Sequence, residues 1–210
     1  RFPVRTVGLA WLIGVVAAGA VYPIAWATGL AGFDPDALTA STGLPALATA
    51  AIGLVPGVVP YVLLAIGEQL GWSSFLAVRL SERRSRDVTA LTVGSAWAAF
   101  HVPMMLFVPG AIDEGVPAAL AVAMFLLQCL ALAFPMVWLR LRTGSIWPVL
   151  VLHAALNATL YFVVEPATVV SESTHLLLGE GGMLTTAGVV AAVLLTLPLW
   201  RKAGVTEKRG

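Results

Sequence analysis

Charge is what this sequence has least of. Only 11% of its residues are Asp, Glu, Lys or Arg, where a soluble domain carries about a quarter. With 59% hydrophobic residues across a chain of 210, an ordinary water-soluble fold is excluded. Cys129 is the single cysteine, so there is no disulfide framework. The chain has no HExxH metal-binding helix, no GxSG-type serine signature, no glycine-rich phosphate loop, no repeat and no low-complexity tract. Period-2 alternation is missing too, which argues against barrel strands. No cofactor, metal or nucleic-acid partner is expected.

What is present is a series of apolar runs near the ~20 residues that cross a bilayer as a helix. Segments 6–28, 46–78, 88–108, 117–139, 145–164 and 181–200 are the candidates. The expected fold class is an all-α polytopic membrane helical bundle of about six transmembrane helices. Residues 1–210 form one integral membrane domain, with the motif-bearing core at about 46–164, and no room is left for a soluble domain.

The few charges are sorted by loop. All twelve Lys and Arg fall at the N-terminus (Arg1, Arg5), the second loop (Arg79, Arg83, Arg84, Arg86), the fourth loop (Arg140, Arg142) or the C-terminus (Arg201, Lys202, Lys208, Arg209). The opposite loops carry Asp34, Asp36, Asp113, Glu114, Glu165, Glu172 and Glu180 and no basic residue. By the positive-inside rule the basic side and both termini are cytoplasmic, in a multi-pass protein of the cell membrane with lipid as its first partner. Segment 46–78 is roughly 50 Å long as one straight helix, too long for a ~30 Å core. Gly53, Pro56, Gly57 and Pro60 mark where it bends or breaks, either as a packing kink or along a protein-enclosed cavity. Residues 201–210 read as a short disordered tail.

One acidic residue of eleven, Glu68, lies inside a span. Ionisable residues at membrane depth face the protein interior and carry a role. Glu68 precedes Arg79 by eleven residues, about 16 Å along a helix. His101, His153 and Asn157 lie about 20, 12 and 18 Å from the inner starts of their own spans by the same rise. Four polar groups from three spans thus converge in depth. His153 and Asn157 are i,i+4 and share a helix face. A Glu with a His can deprotonate a water and return the proton to a leaving group, while a His beside an Asn can hold a tetrahedral oxyanion. Glu68, His101 and His153 could alternatively supply three zinc ligands. His175, in the acidic loop 165–180, reads as a surface residue.

Three stretches carry a resemblance. Gly67-Glu68-Gln69-Leu70-Gly71-Trp72-Ser73-Ser74-Phe75-Leu76, Trp97-Ala98-Ala99-Phe100-His101-Val102-Pro103, and Gly144-Ser145-Ile146-Trp147-Pro148 leading to His153-Ala154-Ala155-Leu156-Asn157 follow one another in order. Together they resemble the CAAX protease and bacteriocin-processing family of intramembrane glutamic endopeptidases, over roughly residues 60–160. The resemblance implies that Glu68 and His101 activate the attacking water and that His153 and Asn157 form the oxyanion site. It implies a membrane-associated peptide or protein substrate, C-terminally prenylated in part of the family. Gln69 stands where the family has a second Glu, Ser73 where it has Arg, and Ser74 where it has a small Gly. Positions 69 and 73 are i,i+4, so a supporting or substrate-orienting pair is replaced here as a unit. Competing readings are a catalytically silent relative that binds a membrane partner, a proton-coupled carrier using Glu68 and the histidines, and a serine peptidase using Ser73 or Ser74 with His153.

Overall fold

The computed structural model describes residues 3–169 and 171–202, the side chains of Glu172 and Ser173 excepted. The chain runs α1 (Val4–Gly19), α2 (Val21–Ala27), β1 (Gly32–Phe33), α3 (Pro35–Ala40), α4 (Ala46–Leu54) and α5 (Val58–Gln69). A π-helical segment, Leu70–Leu76, leads into α6 (Ala77–Ser81), then α7 (Arg86–Phe107), α8 (Ala118–Thr143) and α9 (Trp147–Asn157). A second π-helical segment, Ala158–Val164, precedes β2 (Thr168–Val169), α10 (Glu172–Leu177), α11 (Met183–Leu195) and α12 (Leu197–Lys202). The protein is an all-α polytopic bundle. Its one sheet among the described residues is the two-residue antiparallel pair β1–β2, which ties the first outer connection to the segment after α9.

Five helical stretches are long and apolar enough to cross a bilayer: Val4–Ala27, Ala46–Ser81, Arg86–Phe107, Ala118–Thr143 and Trp147–Val164. The sixth expected span, 181–200, differs. It is the 13-residue helix α11 followed by the short α12. Pro198 has no N–H to give the Leu194 carbonyl, so the helix ends there. The Thr196 hydroxyl instead donates to Ala192 O at 2.6 Å, and Trp200 Nε1 donates to Val193 O at 3.1 Å. The expectation of a disordered 201–210 lies outside the described residues apart from Arg201 and Lys202, which close α12.

The long second stretch breaks where its prolines and glycines indicated. Pro56 cannot bond the Ile52 carbonyl in the helical register, and Gly57 N reaches that carbonyl at 2.7 Å instead. The Leu54 carbonyl freed at the end of α4 accepts from Trp11 Nε1 at 2.7 Å, a bond worth about 1 kcal/mol net. The packing-kink reading fits Gly53: a Cβ there would lie 2.4 Å from the Phe162 ring.

Helix α9 is the centre of the bundle. Leu152, Ala154 and Ala155 are fully buried, α1 lies against one side of it, and α5 and α8 pack on others. The approach of α1 depends on Gly14, whose added Cβ would sit 2.5 Å from Leu152 O; small residues set such close contacts in membrane bundles. At one end of the bundle Arg86, Arg142 and Arg201 surround the Trp138 ring at 4.9, 5.8 and 4.9 Å. Asp87 accepts from Trp138 Nε1 and from Arg201. Basic residues beside the second and fourth connections and in the C-terminal helix therefore meet on one side.

Candidate active site

Glu68 is the penultimate residue of α5, immediately before the helix widens into its π-helical turn. Leu70–Leu76 continues the helix as a π-helical segment, and π turns frequently accompany functional sites. The Glu68 carboxylate is partly buried and its Oε2 accepts from Trp97 Nε1 at 2.8 Å. Trp97 lies one helical turn before His101 on α7, and its backbone carbonyl accepts from His101 Nδ1 at 3.0 Å. A carbonyl oxygen can only accept, so Nδ1 of His101 carries the proton and Nε2 is left facing Glu68. His101 Nε2 and Glu68 Oε2 are 3.9 Å apart. That is beyond a direct hydrogen bond and leaves both atoms within reach of one water beside the pair.

His153 lies on α9, 5% exposed, with its ring edge-on to Trp97 at 5.3 Å between centroids. The Trp97 indole thus touches Glu68, His101 and His153 together. His153 Nδ1 is 3.0 Å from Gln69 Nε2, and Ser73 Oγ donates to Gln69 Oε1 at 2.6 Å. Gln69 and Ser73 are each 1% exposed. The expected pair at 69 and 73 is therefore a bonded pair, and it faces His153.

Asn157 closes α9 one turn beyond His153 and is half-buried. The cluster's hydrogen bonds run among Glu68, Gln69, Ser73, Trp97, His101 and His153, and none of them reaches Asn157. Its amide shares the His153 face by helical register alone. Ser74 is half-buried and lies outside the network. Among the described residues no group of three or more His, Cys, Asp or Glu converges as metal ligands do. His175 is paired with Asp113, Nδ1 to Oδ2 at 3.2 Å.

Two contributors escape sequence reasoning. Trp97 belongs to one of the three motif stretches but has no role assigned by sequence; its signal is the four-residue step to His101, which puts both on one face of α7. The other is Glu180. Its residue surface is exposed, while the protein packed around its carboxyl raises it by desolvation. Tyr161 is its hydrogen-bond partner. A cavity of about 200 Å³ is lined by Tyr22, Asp113, Glu165 and His175 among others, with none of the four expected catalytic residues.

The chain is thus a polytopic membrane bundle with polar groups gathered in its interior, and its family is shown directly. The chain belongs to the type II CAAX prenyl endopeptidase Rce1-like family, which matches residues 48–159 and so spans all four expected catalytic positions. The family is one of membrane proteases. No curated protein and no solved structure matches the chain.

Proposed function

We propose that this chain is an intramembrane endopeptidase that hydrolyses a peptide bond in a membrane-associated, C-terminally prenylated protein or peptide, using a water activated by Glu68 and His101. The observation that carries the reading is the 3.9 Å gap between Glu68 Oε2 and His101 Nε2, with both side chains held by Trp97. A water bonded to both from beside the pair gives one hydrogen bond to the carboxylate base and the other to the imidazole acceptor. Glu68 takes a proton from the water and the hydroxide adds to the scissile carbonyl carbon. The oxyanion that forms accepts hydrogen bonds from His153 and Asn157. The C–N bond then breaks, and the proton returns from Glu68 or His101 to the departing amine. Peptide or protein is the substrate partner and lipid the surroundings; the protein resides in the cell membrane with its basic end cytoplasmic.

The test is cleavage of membrane-anchored and C-terminally farnesylated peptides by detergent-purified protein, wild type beside Glu68→Gln, each with and without chelator. The expected result is cleavage lost at least about 10²-fold in the variant and unchanged by chelator. Loss with chelator would move the chemistry to a metal held by Glu68, His101 and His153. Folded wild type that cleaves nothing would make the chain a silent, partner-binding relative.

A further inference from the structure

Gln69 offers two N–H protons and one carbonyl, and its three neighbours take all of them. Ser73 Oγ lies 2.6 Å from Oε1, while Nε2 faces His153 Nδ1 at 3.0 Å and Met136 Sδ at 4.0 Å. The amide could in principle be turned over, since oxygen and nitrogen are alike in size. Met136 decides between the two orientations. A thioether has no proton to give, so a carbonyl turned toward Met136 would face no donor on that side in a fully buried place. With the NH2 group there, both of its protons are used, and His153 Nδ1 must be the acceptor.

A neutral imidazole carries one ring proton. If Nδ1 accepts, the proton is on Nε2. We propose that Gln69, itself held by Ser73, fixes His153 as its Nε2–H tautomer, so that His153 presents a neutral donor to the reacting carbonyl oxygen. Gln69 and Ser73 are positioning residues in this scheme. The proposal rests on the oxyanion role given to His153 above. An amide can do this where a carboxylate at position 69 cannot: an ionised carboxylate only accepts, so it would draw the proton to Nδ1. The Nε2 atom would then be a donor only in the imidazolium, a charge that is costly in so buried a place. The Gln69–Ser73 pair thus replaces a charged arrangement with a neutral one that needs no proton taken up from solution.

The experiment is ¹⁵N-histidine labelling of the intact protein in detergent micelles, reading the protonation of each ring nitrogen from its shift and one-bond proton coupling. Three histidines are present, and His175→Gln and His101→Gln assign the third signal set by elimination. In wild type at neutral pH, His153 is expected with Nε2 protonated and Nδ1 bare. Ser73→Ala, which leaves the amide free to turn, is expected to give both tautomers. Gln69→Glu is expected to protonate Nδ1 as pH rises, and its peptide cleavage to gain an alkaline limb falling roughly tenfold per pH unit at a pH where wild type is level. A wild-type His153 protonated at Nδ1, or at both nitrogens, overturns the proposal whether or not the protein cleaves. An Nε2-protonated His153 in a protein without Glu68-dependent cleavage leaves the tautomer assignment standing and overturns the peptidase reading.

Discussion

The indole Nε1 of Trp97 donates to Glu68 Oε2 at 2.8 Å, and one turn along α7 the Trp97 carbonyl holds His101 Nδ1 at 3.0 Å. One residue therefore orients both groups proposed to act on the water, through its side chain and its backbone separately. Trp97→Phe removes only the first of these. Hydrogen bonds to charged groups are worth about 1.5–3 kcal/mol, so kcat/KM is expected to fall about 10- to 100-fold while the melting temperature moves little. Unchanged kcat/KM in the folded variant would show that Glu68 needs no help from the indole.

Why the four polar positions stand out as candidates is physical. Hydrocarbon tolerates few ionisable groups, so Glu68, His101 and His153 stand out against an almost uncharged background, and the i,i+4 step to Asn157 fixes a shared face without tertiary information. Pro56 and Gly57 marked the break in the second stretch for the same kind of local reason. Trp97 was not legible as a partner of Glu68, because nothing local separates an indole that bonds a carboxylate from one that fills a core. The two π-helical segments were equally hidden: each follows a site-bearing helix, at Gln69 and at Asn157, and answers to packing by neighbours far away in sequence. The shortening of the last span follows from Pro198, which a reading by length of the apolar run 181–200 does not consult.

His153 and Asn157 are expected to separate from Glu68 in kinetic character. If they meet only the developing oxyanion, truncating either removes an interaction made in the transition state. Loss of one such donor costs about 10²–10³ in kcat with KM nearly constant. Asn157→Ala is the cleaner of the two, since Asn157 lies outside the hydrogen-bonded cluster. A rise in KM with kcat preserved would place Asn157 in ordinary substrate binding instead.

The position of α9, and so of His153, depends on how closely α1 can approach it. At Gly14 an added Cβ would meet Leu152 O at 2.5 Å and Leu156 N at 2.9 Å, both backbone atoms, which cannot swing aside as a side chain does. Gly14→Ala is expected to destabilise by about 1–3 kcal/mol, as overpacking does, and to lower cleavage with it. At Gly8, on the same helix, an added Cβ would meet nothing within 4 Å, so Gly8→Ala is the matched control and is expected to be neutral. Equal thermal unfolding of the two variants would refute the close-contact account.

Stability is also expected to depend on pH through the outer acidic cluster. Burial, with Glu180 and then Asp113 as added negative charges, raises the Glu165 carboxyl from the usual 4.5 to about 7. Burial raises the Glu180 carboxyl as well. Between pH 4.5 and about 7 the folded protein therefore holds a proton on Glu165 that the unfolded chain has released. Stability falls with rising pH wherever the folded state binds more protons. The contribution is complete below 4.5 and is lost as pH passes 7. His175 lies against Asp113 at 3.2 Å, beside the same cluster. The measurement is thermal unfolding of the detergent-solubilised protein across this range, for wild type and Glu165→Gln. The melting temperature of wild type is expected to decline between about pH 5 and 8, and that of the variant to decline less, so that the substitution stabilises most at the alkaline end. Parallel curves would mean that Glu165 ionises at its ordinary pH in the folded protein.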